Sequence, residues 1–133
     1  MLATALDSLR LFLHVLAATI WVGGQLTLAV LVPVLRAHDP ALPKLAARAF
    51  NKVAWPAYGV LLVTGMWNVA AVSADAQGNY NAVLMIKVLV VAASGITAYL
   101  HTRAKTTTGL AVYGALTGLT ALSSLYVGVL LAG

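Results

Sequence analysis

His14 and Lys87 are the side chains of this sequence best suited to chemistry, because each lies inside a long apolar run. A neutral imidazole such as His14 suits copper, zinc or haem iron, and the thioethers of Met66 and Met85 favour soft Cu(I). His with Met also ligates haem iron axially. An ammonium such as Lys87 attracts an anionic group, a carboxylate or a haem propionate. Each has a plainer reading. Lys87 has a stem long enough to reach the headgroups, and methionines are good gap-fillers in apolar packing. The chain has no cysteine, which removes disulfides, thiolate metal sites and cysteine nucleophiles together. It has no paired-His helix motif, no phosphate-binding glycine loop, no Ser/His/Asp set and no pair of buried carboxylates. Hydrolytic chemistry is therefore not expected.

The elements that position these groups follow from composition. Of 133 residues, 62% are apolar and 8% charged, with a mean hydropathy of +0.95, against about 45–50% and about 25% in soluble domains. So small a chain cannot hide that surplus in its own core, and lipid must solvate most of it. A spanning helix needs about 20 predominantly apolar residues. Four runs qualify, at about 11–35, 53–72, 83–101 and 109–131. Asp7 precedes Arg10 and the first run is too long for a cleaved signal, so the first helix is expected to be retained. The connections are short, which predicts an all-α, up-down four-helix bundle in the membrane, forming one domain over 1–133.

Charge sets the orientation. Six of the eight Lys and Arg residues fall in two segments: Arg36, Lys44, Arg48 and Lys52 after the first run, and Arg103 and Lys105 after the third. Basic loops stay cytoplasmic, so both termini are expected on the non-cytoplasmic side of a bacterial-type inner membrane. Asp7 and the polar turn Asp75–Asn79 then face outward. Lys44, Arg48 and Lys52 recur every four residues as a basic helical stripe. Its first reading is topological, and it also suits anionic lipid headgroups. The net charge of +5 is accounted for by these segments, so no nucleic-acid partner is expected.

Ionisable groups inside a span are costly and tend to face protein or a water-filled cavity. At about 100° per residue, Asp7, Arg10, His14, Trp21 and Gln25 fall on one face of the first span. Tyr80, Lys87, Ser94 and His101 form a stripe on the third, and Tyr113, Thr117, Thr120 and Ser124 another on the fourth. Depth then groups His14 and Lys87 in an outer layer, with Met66, Trp67, Asn68, Met85 and Tyr126 nearby. Trp55 and Tyr58 are expected as cytoplasmic interface anchors, Trp67 as an outer one. Trp21, in mid-span, has no such role. His101 reads as interfacial, and the span-four hydroxyls as interhelical hydrogen bonds.

The segment LHVLAATIWVGGQL resembles the first helix of copper resistance protein D (CopD-like) membrane domains. FNKVAWPAYGVLLVTGMWN is similar to that family's second helix, and MIKVLVVAASGITAYLHTR to a third helix with an early Lys. The same layout is similar to the HemJ type of protoporphyrinogen oxidase, a small haem-binding membrane protein. The resemblance covers residues 8–105. It implies that His14 is the copper or haem b ligand, that Lys87 is the functional third-helix lysine and that Trp21 frames the site; Met66 and Met85 are further candidate copper ligands. Two departures stand out. The HemJ pattern has a Pro-Arg pair late in the first helix, where this chain has Val32-Pro33-Val34 and Arg36. The larger copper-resistance proteins carry further helices, so a transport path here would need a homo-oligomer or a larger membrane complex. The expectations, in order, are copper handling at the outer face, a b-type haem protein or HemJ-like oxidoreductase, and a non-catalytic accessory subunit of a larger complex.

Overall fold

The computed structural model describes residues 4–72 and 80–132. The chain is all-helical over those residues: α1 spans Ala5–Ala18, α2 Gly24–His38, α3 Leu42–Val72, α4 Tyr80–Arg103 and α5 Thr107–Ala132. A π-helical turn, Thr19–Gly23, joins α1 to α2 without a break, so the two act as one long element. Four helical segments are thus long and apolar enough to cross a membrane, and the chain is a multi-pass membrane protein by that criterion. Each helix runs past the apolar span expected for it, because the basic and polar flanks continue the same backbone ladder. The expected turn Asp75–Asn79 lies outside the described residues.

The distribution of side chains is inverted relative to a soluble domain. Apart from Trp21 and Val22, the buried apolar positions are alanines: Ala17, Ala54, Ala57 and Ala121. Thr64, Ser94 and Thr117 are buried with them, while Phe12, Val30, Leu89 and Leu119 are each more than 60% exposed. Small residues let helix backbones approach closely, and large apolar ones are left for lipid.

The chain divides into two compact units, Met1–Ala74 and Asp75–Gly133. In the first, α1 and the segment after it pack on α3. Thr4 caps α1: its hydroxyl accepts from the Asp7 N–H at 3.2 Å and donates to the Asp7 carboxylate at 2.8 Å, which satisfies a helix-end donor. The π turn places Trp21 and Val22 inward. Thr19 and Thr27 donate to the carbonyls of Val15 and Gly23, both at 2.8 Å, taking up backbone oxygens on either side of the turn. Just beyond, a Cβ on Gly24 would fall within the Phe50 ring. Glycine there lets the Phe50 ring of α3 sit against the α2 backbone. In the second unit α4 and α5 form an antiparallel hairpin, closed by Thr106, whose hydroxyl accepts from the Gly109 N–H at 2.9 Å.

Candidate functional site

Along α1, Arg10, His14, Ala17 and Trp21 recur at steps of four, three and four residues, which keeps them on one face. That face meets α3, and the antiparallel pairing sets Arg10 against Asn68 and His14 against Thr64. The Arg10 guanidinium is 7% exposed. It donates to the Asn68 carbonyl oxygen at 2.6 Å and to the Asp7 carboxylate at 3.1 Å, while its buried Nε has no partner among the described residues. Thr4, Asp7, Arg10 and Asn68 thereby form one chain of polar contacts at the amino-terminal end of the α1–α3 pair. A guanidinium removed from solvent is tolerable only with such partners.

One turn further in, His14 Nδ1 lies 2.8 Å from the Thr64 hydroxyl. That hydroxyl also stands 2.7 Å from the Val60 carbonyl oxygen, which can only accept. The single hydroxyl proton therefore goes to Val60, and the proton between the ring and Thr64 belongs to Nδ1. This hydrogen-bond pattern assigns the tautomer: in neutral His14, Nε2 carries the lone pair. Metal-ligating histidines are commonly held through their other ring nitrogen in a similar way. A Cβ on Gly65 would stand 3.9 Å from His14 Cε1, an ordinary contact.

The other expected members are placed differently. Met66 is two positions past Thr64, about 200° around the helix, and is 68% exposed; it faces away from His14. Met85, in the second unit, is 59% exposed, and Tyr126 is 65% exposed. Trp21 is on the same face of the first helix as His14. It lies seven residues on, about 10 Å along the helix axis, and packs on Trp55 and Tyr58 with ring centroids 5.3 and 4.6 Å away. Trp55 and Tyr58, expected as interface anchors, are thus two of the three rings of an aromatic cluster around the π turn. Gln25 continues the same stripe, with its amide nitrogen buried and without a partner among the described residues.

Lys87 and His101 belong to the α4–α5 hairpin. A Cβ on Gly128 would stand 3.3 Å from Lys87 Nζ, and one on Gly114 would stand 3.1 Å from His101 Cε1. His101 Nδ1 donates to the Leu110 carbonyl at 2.9 Å, which ties the helix ends together rather than leaving the ring at an interface. Midway lie Ser94 and Ala121, each 1% exposed, and the Thr97 and Thr117 hydroxyls stand 3.0 Å apart. Every seven residues along α4 thus meets seven back along α5. Thr120 and Ser124, expected to bond between helices, bond carbonyls of their own helix, Leu116 and Ala121, at 2.7 and 2.8 Å.

Among the described residues no three His, Asp or Glu side chains group as a metal cage. Within the α1–α3 pair, the donor that fits a metal centre is the His14 imidazole, with the Arg10 guanidinium one turn away. Thr64 had no distinguishing signal in the sequence beyond its spacing of four from Asn68, which matches that of His14 from Arg10. No protein-family model, no curated protein and no solved structure matches this chain.

Proposed function

We propose that this is a b-type haem-binding membrane protein, with His14 as an axial ligand to the haem iron. The observation that supports the reading is the Thr64–His14 pair, which holds the imidazole through Nδ1 between α1 and α3. A haem needs only one or two protein donors, because the macrocycle supplies the rest. A protein copper site takes two or more, and Met66, the thioether on α3 two residues past Thr64, faces away. That reverses the order in which the sequence ranks the two. Haem b, when bound, supplies one-electron redox chemistry at its iron. Arg10, buried beside its own carboxylate and with Nε unpartnered, is suited to hold a propionate, as a guanidinium recognises carboxylates. Lys87 is the second candidate for that role, from its ammonium chemistry and from the resemblance. The inner membrane and an outward site belong to this proposal, on the basic-loop rule.

Copper handling is the second reading. It rests on the Trp-Val-Gly-Gly run after His14 and needs donors from a second copy or a larger complex. An absorption spectrum of the full chain, purified in detergent after expression with haem supplied, separates them. The haem reading expects a Soret band that is lost in His14→Ala and kept in Met66→Ala and Met85→Ala. A colourless protein that binds Cu(I) through His14 overturns it in favour of copper. A colourless, metal-free protein that co-purifies with larger subunits overturns both in favour of the accessory role.

A further inference from the structure

A groove of about 330 Å³ runs between α1 and α3, and neither His14 nor Thr64 lines it. Its floor is made by Ala17 and Ala57, which are buried. Ile20 and Leu13 stand on one wall and Pro56 and Val60 on the other, with Lys52 at one end. Small side chains on the facing stripes hold the helices close, while the branched ones beside them rise as walls. Pro56 has no N–H and presents only ring carbons. The result is an apolar channel with a single cation where it opens.

The channel follows the membrane normal in sequence terms. Lys52 immediately precedes the apolar run that begins at Val53, and Val60 lies eight residues further on, about 12 Å deeper. Beyond Lys52, exposed Arg48 and Lys44 continue the same helical face outward at four-residue steps. The sequence from 40 to 72 contains no acidic residue. An occupant must therefore be apolar over about 12 Å and carry negative charge at one end. We propose that this groove is a binding site for an anionic phospholipid, with one acyl chain along Ala17 and Ala57 and the phosphate at Lys52 and Arg48. A second copy of the chain is a poor match, since it offers three acidic residues in all against a ladder of three cations. The inference does not depend on a haem or copper reading of His14.

The test is native mass spectrometry of the full, delipidated chain in neutral detergent, titrated with dioleoylphosphatidylglycerol or dioleoylphosphatidylcholine. Phosphatidylglycerol is expected to bind several-fold more tightly. Lys52→Gln should cut that preference about fivefold, the factor that ~1 kcal/mol per basic residue near an anionic lipid corresponds to. Lys52→Arg should keep it, and Lys105→Gln, on the other basic segment, should leave it unchanged. Val60→Trp, which fills the apolar end from a partly exposed position, should weaken both lipids while the protein keeps its melting temperature. Equal binding of the two lipids, or a preference that survives Lys52→Gln, overturns the proposal. So does displacement by glycerol phosphate at the lipid's own concentration, which would assign the site to a free phosphate. A dimer that excludes lipid would assign the groove to a second copy.

Discussion

His14 and Arg10 differ in what their partners do for them. Thr64 gives His14 a defined proton position, so Thr64→Val should leave a folded protein with a loosely oriented ring. The expected readout is a Soret band that persists with altered intensity and weaker haem retention, while Thr64→Ser, which keeps the hydroxyl, restores the parent spectrum. A change in neither variant would mean that Thr64 does not set the ligand's orientation. Arg10 is the costlier residue. Asn68→Ala removes its shortest contact, 2.6 Å, and leaves more of a buried guanidinium unsatisfied. A loss of about 1–3 kcal/mol is expected, measured as a lowered midpoint in detergent thermal unfolding. Arg10→Met, similar in length and without charge, should lose less, because a buried charge without partners costs more than none.

At the scale of helices, glycines decide how closely elements meet. Gly24 admits the Phe50 ring and Gly128 admits the Lys87 ammonium. Gly24→Ala should cost about 1–3 kcal/mol through overpacking. Phe50→Ala in the same chain should relieve part of it, and a double-mutant cycle in thermal unfolding reads the coupling. Additive effects would mean that the ring moves aside freely. On α5, Gly114, Thr117, Ala121, Ser124 and Gly128 alternate at steps of three and four, a seam of small residues that fits the polar stripe of α4. That stripe and its depth were legible in the sequence from Lys87, Ser94 and His101. The seam's glycines were not, because a glycine in an apolar run looks the same whether a neighbour covers it or lipid does. The π turn was equally hidden. Its residues, three of them β-branched, also suit an ordinary spanning helix, and the packing of Trp21 on Trp55 and Tyr58 accounts for its inward face.

For the whole molecule, the absence of cysteine makes orientation directly measurable, since any cysteine introduced is the only one. Cysteines placed at Arg48 and Lys105 are expected to react with a membrane-impermeant maleimide only after cells are opened, and one at Ser8 in intact cells. The reverse pattern would turn the protein over and move the His14 end to the cytoplasmic side. Membrane residence itself followed from counting. A chain this short and this apolar has no other way to solvate its side chains, and four runs of spanning length leave little choice of element.

The candidate site was legible in part. The face shared by Arg10, His14 and Trp21 came from helical periodicity, which is a property of the chain alone. What those residues touch did not, because rotation and axial offset of α3 against α1 are set by packing. Only the tertiary structure brought Thr64 and Asn68 to His14 and Arg10, drew Trp55 and Tyr58 onto Trp21, and turned Met66 outward. Sequence by itself determined the four spans, their basic flanks and which residues are too polar to face lipid. Tertiary structure decided their partners, because a hydrogen bond between two helices depends on their mutual rotation, which no single helix encodes.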